Sequence, residues 1–179
     1  MRIAVSGTHG VGKSTLIDAF LQKHPEFVHE PEPYTVLVED LGEKFSAEPC
    51  VEDFLRQLEF NIDRLKQHAA NENVIYERCP VDFLAYIHAL DPQTAEALRE
   101  SVSDAMQHLD LIVYLPLETT TDEFPKLQRA VDRRLSSILR EDELEIMTHV
   151  RIVEAVGPTD RRLRTLENTI SMNIKHASL

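Results

Sequence analysis

Residues 7 to 14 read Gly-Thr-His-Gly-Val-Gly-Lys-Ser, and no other stretch limits so tightly what the chain can fold into. The octapeptide fits G-x-x-x-x-G-K-[ST], with Gly7, Gly12, Lys13 and Ser14 at the fixed positions. Arg2-Ile3-Ala4-Val5-Ser6 before it is short, apolar and β-branched, and Thr15 to Leu21 after it carries apolar groups at helical spacing. A strand, a glycine-rich turn and a helix form an anion cradle. The loop turns backbone N–H groups inward, and the helix directs its positive end at the same point. The predicted phosphate-binding set is Gly7, Thr8, His9, Gly10, Val11, Gly12, Lys13, Ser14 and Thr15, with His9 a tolerated variable position. Lys13 can reach the β- and γ-phosphates of a nucleoside triphosphate such as ATP, and Ser14 can ligate the Mg²⁺ that bridges them.

The rest of the chain repeats the strand-then-helix alternation. Strands are predicted at Phe27 to His29, Val74 to Tyr76, Leu109 to Leu115 and Val150 to Val156. Between them lie an amphipathic helix from Val51 to about Ala70, helices on either side of Asp91-Pro92, and an arginine-bearing helix over 126–140. The two prolines of Glu30-Pro31-Glu32-Pro33-Tyr34 are expected to stop both strand and helix, with a short helix near Val36 to Leu41. Five strands joined by helical crossovers specify a three-layer α/β/α fold around a mainly parallel sheet, a single domain spanning 1–179. In such sheets ligands bind beyond the carboxyl ends of the strands. That places Ser6-Gly7, Glu30, Glu77-Arg78, Pro116-Leu117 and Gly157 on one rim.

Charge narrows the partners. With 31 acidic and 19 basic residues the formal net charge is −12, which repels a polyanion, so nucleic acid is not expected as a partner. Basic residues cluster only near Arg129, Arg133 and Arg134 and again at Arg161, Arg162 and Arg164. Two cysteines are too few for a disulfide framework, no apolar run has the length of a membrane span, and a cytoplasmic protein is expected. The 8 histidines lack ligand-like spacing, so no protein-bound zinc site is predicted. A homodimer is compatible with all of this.

Several residues together resemble a known group. Gly10 within G-x-x-G-x-G-K is similar to the loop of small-molecule P-loop kinases. Glu30-Pro31 after the second strand, Phe54-x-x-Gln57 in the long helix and Glu77-Arg78-Cys79-Pro80 after the third strand resemble the deoxynucleoside kinase and thymidylate kinase superfamily. The run from Glu77 to Tyr86 is also similar to ribosylnicotinamide-kinase-like P-loop proteins. The resemblance implies a P-loop fold of nucleotide-kinase type and ATP- and Mg²⁺-dependent phosphoryl transfer to a nucleoside, nucleotide or similar small molecule. It implies Glu30 as the carboxylate taking the acceptor proton, Glu77 as the acid that holds Mg²⁺ with Ser14, and Arg78 as the arginine orienting acceptor and carboxylate. A turn glutamate and a buried ion pair are the plainer readings of these residues.

Gln57 can read a base edge, and Tyr34, Phe54, Phe83 and Tyr86 offer stacking surface, although core packing is expected for at least two of the aromatics. Asp82 either contacts an acceptor sugar or serves as a first-turn helix acid. The resemblance places a lid near 118–134. Arg129 and Arg133, four apart on one helical face, can clamp the moving phosphoryl, or pair with Asp132, Glu141 and Asp142. Gly157 matches the place where related kinases pass backbone over adenine. Cys79 is read as a space-filling residue. The alternative function is a nucleotide-hydrolysing regulatory protein acting through a partner, although an Asn-Lys-x-Asp or Asp-x-x-Gly motif of GTPase type is missing from the sequence.

Overall fold

The computed structural model describes residues 1–70, 72–118, 124–145 and 149–176. The elements run β1 (Arg2–Ser6), α1 (Lys13–Leu21), β2 (Val28–Glu30), α2 (Pro33–Thr35), α3 (Val51–Gln67), β3 (Val74–Glu77), α4 (Pro80–Leu90), α5 (Pro92–Met106), β4 (Leu111–Tyr114), α6 (Lys126–Arg140), β5 (Arg151–Glu154) and α7 (Thr159–His176). The strands form one sheet in the order β2-β3-β1-β4-β5, and every pairing is parallel. Chain order reverses at the centre, so β1 lies between β3 and β4 and the loop after it opens into the crevice where doubly wound sheets bind ligands.

Alternation along the central strands divides the core into two layers. Ala4, Tyr76, Ile112 and Tyr114 turn to the face covered by α3 to α6, where they meet Leu58, Phe83, Ile87, Met106 and Leu135. Ile3, Val5, Ile75, Leu111 and Val113 turn to the other face and pack on Ile17 and Phe20 of α1 and on Leu166 and Ile170 of α7. Strands covered on both sides read as continuous apolar runs, as Leu111–Tyr114 does. The edges are wetter: Val28 in β2 is 52% exposed. Among the described residues no helix is long and apolar enough to cross a membrane.

Three predicted boundaries move. The strand expected at 27–29 occupies Val28–Glu30, which brings Glu30 into the sheet edge. The strands expected at 109–115 and 150–156 shorten to Leu111–Tyr114 and Arg151–Glu154. Pro33 does not end regular structure; it opens α2 at the first helical position, where its missing N–H has no intrahelical partner to lose. A wider turn over Val36–Asp40 follows, with the Leu41 amide donating to the Val36 carbonyl at 3.1 Å.

Candidate active site

The glycine-rich loop leaves β1 under steric compulsion. Gly7 has φ of 149°, and a Cβ there would lie 2.6 Å from the Leu115 carbonyl oxygen and 2.9 Å from Val11 Cγ2. Gly12 takes φ of 91° as the residue that starts α1, a left-handed conformation that glycine adopts without penalty. Lys13 is buried, and its Nζ donates to the Thr8 carbonyl at 3.0 Å. Burial, then the nearby Arg78 charge, lowers its pKa to about 8.

Ser14 Oγ donates to Glu77 Oε1 at 2.9 Å, so a hydroxyl on α1 and a carboxylate at the end of β3 meet beside the loop. This pair of hard oxygen donors fits Mg²⁺, which takes one or two protein ligands and completes its shell with phosphate and water. Among the described residues no cluster of three or more His, Cys, Asp or Glu could hold a metal by itself.

Of the two readings of Asp82, the structure supports the first-turn helix acid and not the contact with an acceptor sugar. Asp82 is 0% exposed: Oδ1 accepts from the Gly7 amide at 2.9 Å, and Oδ2 accepts from the Cys79 amide at 2.9 Å. A residue in the first turn of α4 thus caps its own helix and anchors the phosphate loop from behind, beyond a ligand's reach. Burial, with Asp82 alongside, pushes the Cys79 thiol well up, in keeping with a space-filling role.

Arg78 joins the loop to the neighbouring cavity. It sits at φ of 74°, uncommon for a residue with a side chain, and is 4% exposed. Its Nη1 donates to the Gly7 carbonyl at 3.1 Å, its Nε donates to Glu32, and its guanidinium lies 5.4 Å from the centre of the Tyr86 ring. Burial alone would raise the Glu32 pKa, but the charges of Arg78 and Lys13 hold its carboxyl below the usual range. The cavity measures about 510 Å³ and is lined by Glu32, Arg78, Tyr34, Phe45, Asp53, Phe54, Gln57, Phe83, Tyr86 and His9, with Pro125, Leu127 and Gln128 from the start of α6. Phe54 and Tyr86 stack with ring centres 4.6 Å apart. The Gln57 amide nitrogen donates to the Asp53 carbonyl at 3.1 Å within α3.

Glu30 is not among the residues lining this cavity. Its carboxylate accepts from Arg64, and its Oε1 lies 2.6 Å from His68 Nε2. The carboxylate that the connection after β2 presents to the cavity is Glu32, which the sequence reading passed over. Glu-Pro occurs twice in Glu30-Pro31-Glu32-Pro33, and residues two apart share a face while the chain stays extended; the two acids separate because β2 ends at Glu30 and Glu32 already caps α2. The fact that Pro33 can open a helix, with Glu32 as its cap residue, was the available signal.

On the other side of the loop, the Gly157 amide donates to Glu118 Oε1 at 2.7 Å, and Arg162 Nη1 donates to the Val11 carbonyl at 2.6 Å. Arg162 Nη2 also donates to Glu118, closing a link between the ends of β4 and β5 and the phosphate loop. The basic cluster at 161–164 was the only sign of it in the sequence. Of the predicted lid, residues 119–123 lie outside the described residues. Arg129 and Arg133 stand on α6 and do not line the cavity. Arg134 pairs with Glu143 at 2.8 Å, and Asp132 accepts from the Tyr114 hydroxyl at 2.9 Å and the Leu117 amide at 3.0 Å.

A family model described as AAA domain matches residues 2–152. No curated protein sequence matches the chain. Among solved structures, deoxyadenosine kinase from M. mycoides with bound dATP is 16% identical, with a TM-score of 0.66 over 96% of this chain and 100% of that one. Thymidylate kinase from Ehrlichia chaffeensis is 16% identical, with a TM-score of 0.65 over 97% of this chain and 98% of that one. NadR protein in complex with NAD and AMP-PNP is 17% identical, with a TM-score of 0.68 over 93% of this chain but 48% of that one. The architecture is therefore shared with P-loop nucleoside and nucleotide kinases.

Proposed function

The chain belongs to the AAA domain family, and from that premise we propose that it is an ATP-dependent kinase that phosphorylates a hydroxyl of a nucleoside-like small molecule. One observation carries the reading: Arg78 bonds at once to Glu32 on the cavity wall and to the Gly7 carbonyl of the phosphate loop, so the acceptor carboxylate is fixed against the donor cradle.

The loop amides and the start of α1 bind the triphosphate, with Lys13 as the cation for its outer phosphates. Ser14 and Glu77 hold Mg²⁺, which supplies neutralisation of phosphate charge. The acceptor lies in the cavity with its hydroxyl toward Glu32. A bond forms from that hydroxyl oxygen to the γ-phosphorus, the bond to the ADP oxygen breaks, and the hydroxyl proton passes to Glu32. Arg78 and Lys13 keep this carboxylate ionised, hence free to accept a proton though a weaker base than an ordinary glutamate, which a loose transfer that asks little of a base tolerates. The Phe54–Tyr86 stack and Gln57 hold the acceptor's ring. Arg129 and Arg133 have no part in the acceptor pocket on this reading.

Incubation with Mg²⁺, γ-labelled ATP and a panel of hydroxyl acceptors tests the proposal. Label is expected in at least one acceptor. Hydrolysis of ATP with no labelled acceptor would overturn it in favour of a nucleotide-hydrolysing regulator.

A further inference from the structure

The charges around the acceptor cavity decide between two acceptor classes that the proposed kinase leaves open, alcohols and compounds that already carry a phosphate. Two carboxylates line the cavity, Glu32 and Asp53, against one guanidinium, Arg78, and one imidazole, His9. Arg78 is already engaged by Glu32, by the Gly7 carbonyl and by the Tyr86 ring. The neighbouring cations are committed elsewhere. Arg56 holds Glu43 through Nε at 3.0 Å and Nη2 at 2.5 Å, while Arg64 holds Glu30 and the Pro31 carbonyl. The first turn of α6 reaches the cavity with Pro125, Leu127 and Gln128, whereas Lys126, Arg129 and Arg133 do not line it. Much of the remaining wall is aromatic, with Phe54 stacked on Tyr86 and Tyr34 tilted against Phe45 at 5.2 Å between ring centres, and Ser46, Ala47, Pro49 and Gln57 between them add no charge.

A phosphomonoester carries close to two negative charges at neutral pH and needs several donors to replace its water. In this cavity it would meet two like charges and an arginine already engaged. We infer that the acceptor subsite takes an uncharged or positively charged ring-bearing alcohol and rejects one that already bears a phosphate, so that the protein catalyses a first phosphorylation. The inference rests on the cavity being the acceptor side of the kinase proposed above. The same electrostatics favour turnover: transfer converts a neutral hydroxyl into a phosphomonoester facing Glu32 and Asp53, which promotes its release. A reaction of this class consumes a free nucleoside-like alcohol and feeds steps that act on its monophosphate.

Calorimetric titration on the intact protein, with the phosphate loop first filled by Mg·AMP-PNP, tests the selection apart from the chemistry. The probes are adenosine, cytidine, thymidine and nicotinamide riboside, each beside its own monophosphate. At least one unphosphorylated probe is expected to bind roughly a hundredfold more tightly than its monophosphate. Asp53→Asn keeps an oxygen for the Ser46 amide that Asp53 Oδ2 now accepts at 2.9 Å, and it should narrow that ratio. A monophosphate that binds as well as its parent, failure of every probe to bind, or a ratio unchanged in Asp53→Asn would overturn the inference. Selective binding without labelled transfer would retain it as a recognition property while removing the kinase.

Discussion

The Gly7 amide donates to Asp82 Oδ1 at 2.9 Å across 75 residues of chain, tying the first glycine of the phosphate loop to the first turn of α4. Two buried backbone donors depend on this carboxylate, the second being the Cys79 amide. Asp82→Ala leaves both unpaired at a cost of about 1–3 kcal/mol each. Urea unfolding should therefore show a loss of roughly 2–5 kcal/mol, together with weaker Mg·ATP binding. Stability equal to the parent would mean that water replaces the carboxylate and that Asp82 does not anchor the loop.

The two glutamates after β2 are predicted to separate by role. Glu32→Gln should retain nucleotide binding and reduce kcat by roughly tenfold to a thousandfold, the range depending on how much the transfer needs a base. Glu30→Gln should lower thermal stability, since it loses a charge facing Arg64 and His68, and leave kcat within about threefold. The opposite pattern would return the catalytic carboxylate to Glu30.

Nucleotide affinity should depend on Lys13 protonation. In the free protein this ammonium is lost above about pH 8, because burial and Arg78 disfavour it; a bound triphosphate restores it. Binding above pH 8 then requires proton uptake, and log Kd should rise by up to about one per pH unit. Without nucleotide the same shift acts in the other direction. The folded pKa of about 8 lies below the ordinary 10.5, the unfolded chain binds more protons between them, and folding stability from this group increases with pH across that window. Calorimetry in two buffers of different ionisation enthalpy reads the uptake, and a Kd flat from about pH 7 to 9 would sink the assignment.

Lys13→Ala should remove the stabilisation by Mg·ATP, which at a hundredfold excess over Kd amounts to about 2.7 kcal/mol. An undiminished thermal shift in the variant would place the nucleotide outside the loop.

His68 supports the turn that carries Glu32 and should titrate with consequence. Its Nε2 lies 2.6 Å from Glu30 Oε1 and its Nδ1 2.7 Å from Glu72 Oε2, an arrangement that calls for protons on both ring nitrogens. Tyr76 packs edge-on against it, and Arg64 holds Glu30 and the Pro31 carbonyl. Burial lowers its pKa, but the two carboxylates outweigh that and the net shift is upward. The contribution to stability is thus complete below the ordinary value of 6.5 and is lost as pH rises through the raised value. His68→Gln should flatten the urea midpoint against pH between about 5.5 and 8.5, and an equal slope in parent and variant would count against the role.

Much of this arrangement is legible in the sequence. The loop at 7 to 14 is self-contained: local backbone geometry and the helix that follows set its chemistry, so its residues could be named from spacing. Ser14 and Glu77 were each expected near one metal, Ser14 from the loop motif and Glu77 from the resemblance, and they meet because β1, which leads into α1, pairs with β3, which ends at Glu77. Glu30 was misplaced, whereas of the two readings of Asp82 the first-turn helix acid holds. Which acid faces the cavity depends on where β2 ends and the next helix begins: the strand stops at Glu30 and Pro33 opens α2, so Glu32 leaves the strand's alternation and turns to the cavity.

By itself the sequence determined the fold class and the phosphate loop, since hydrophobic periodicity and a contiguous motif are local properties of the chain. Only the tertiary structure decided the neighbouring cavity. Glu32, Arg78, Asp53 and the Phe54–Tyr86 stack come from separated segments, and whether each faces the cavity, a helix cap or another ion pair is set by packing between them.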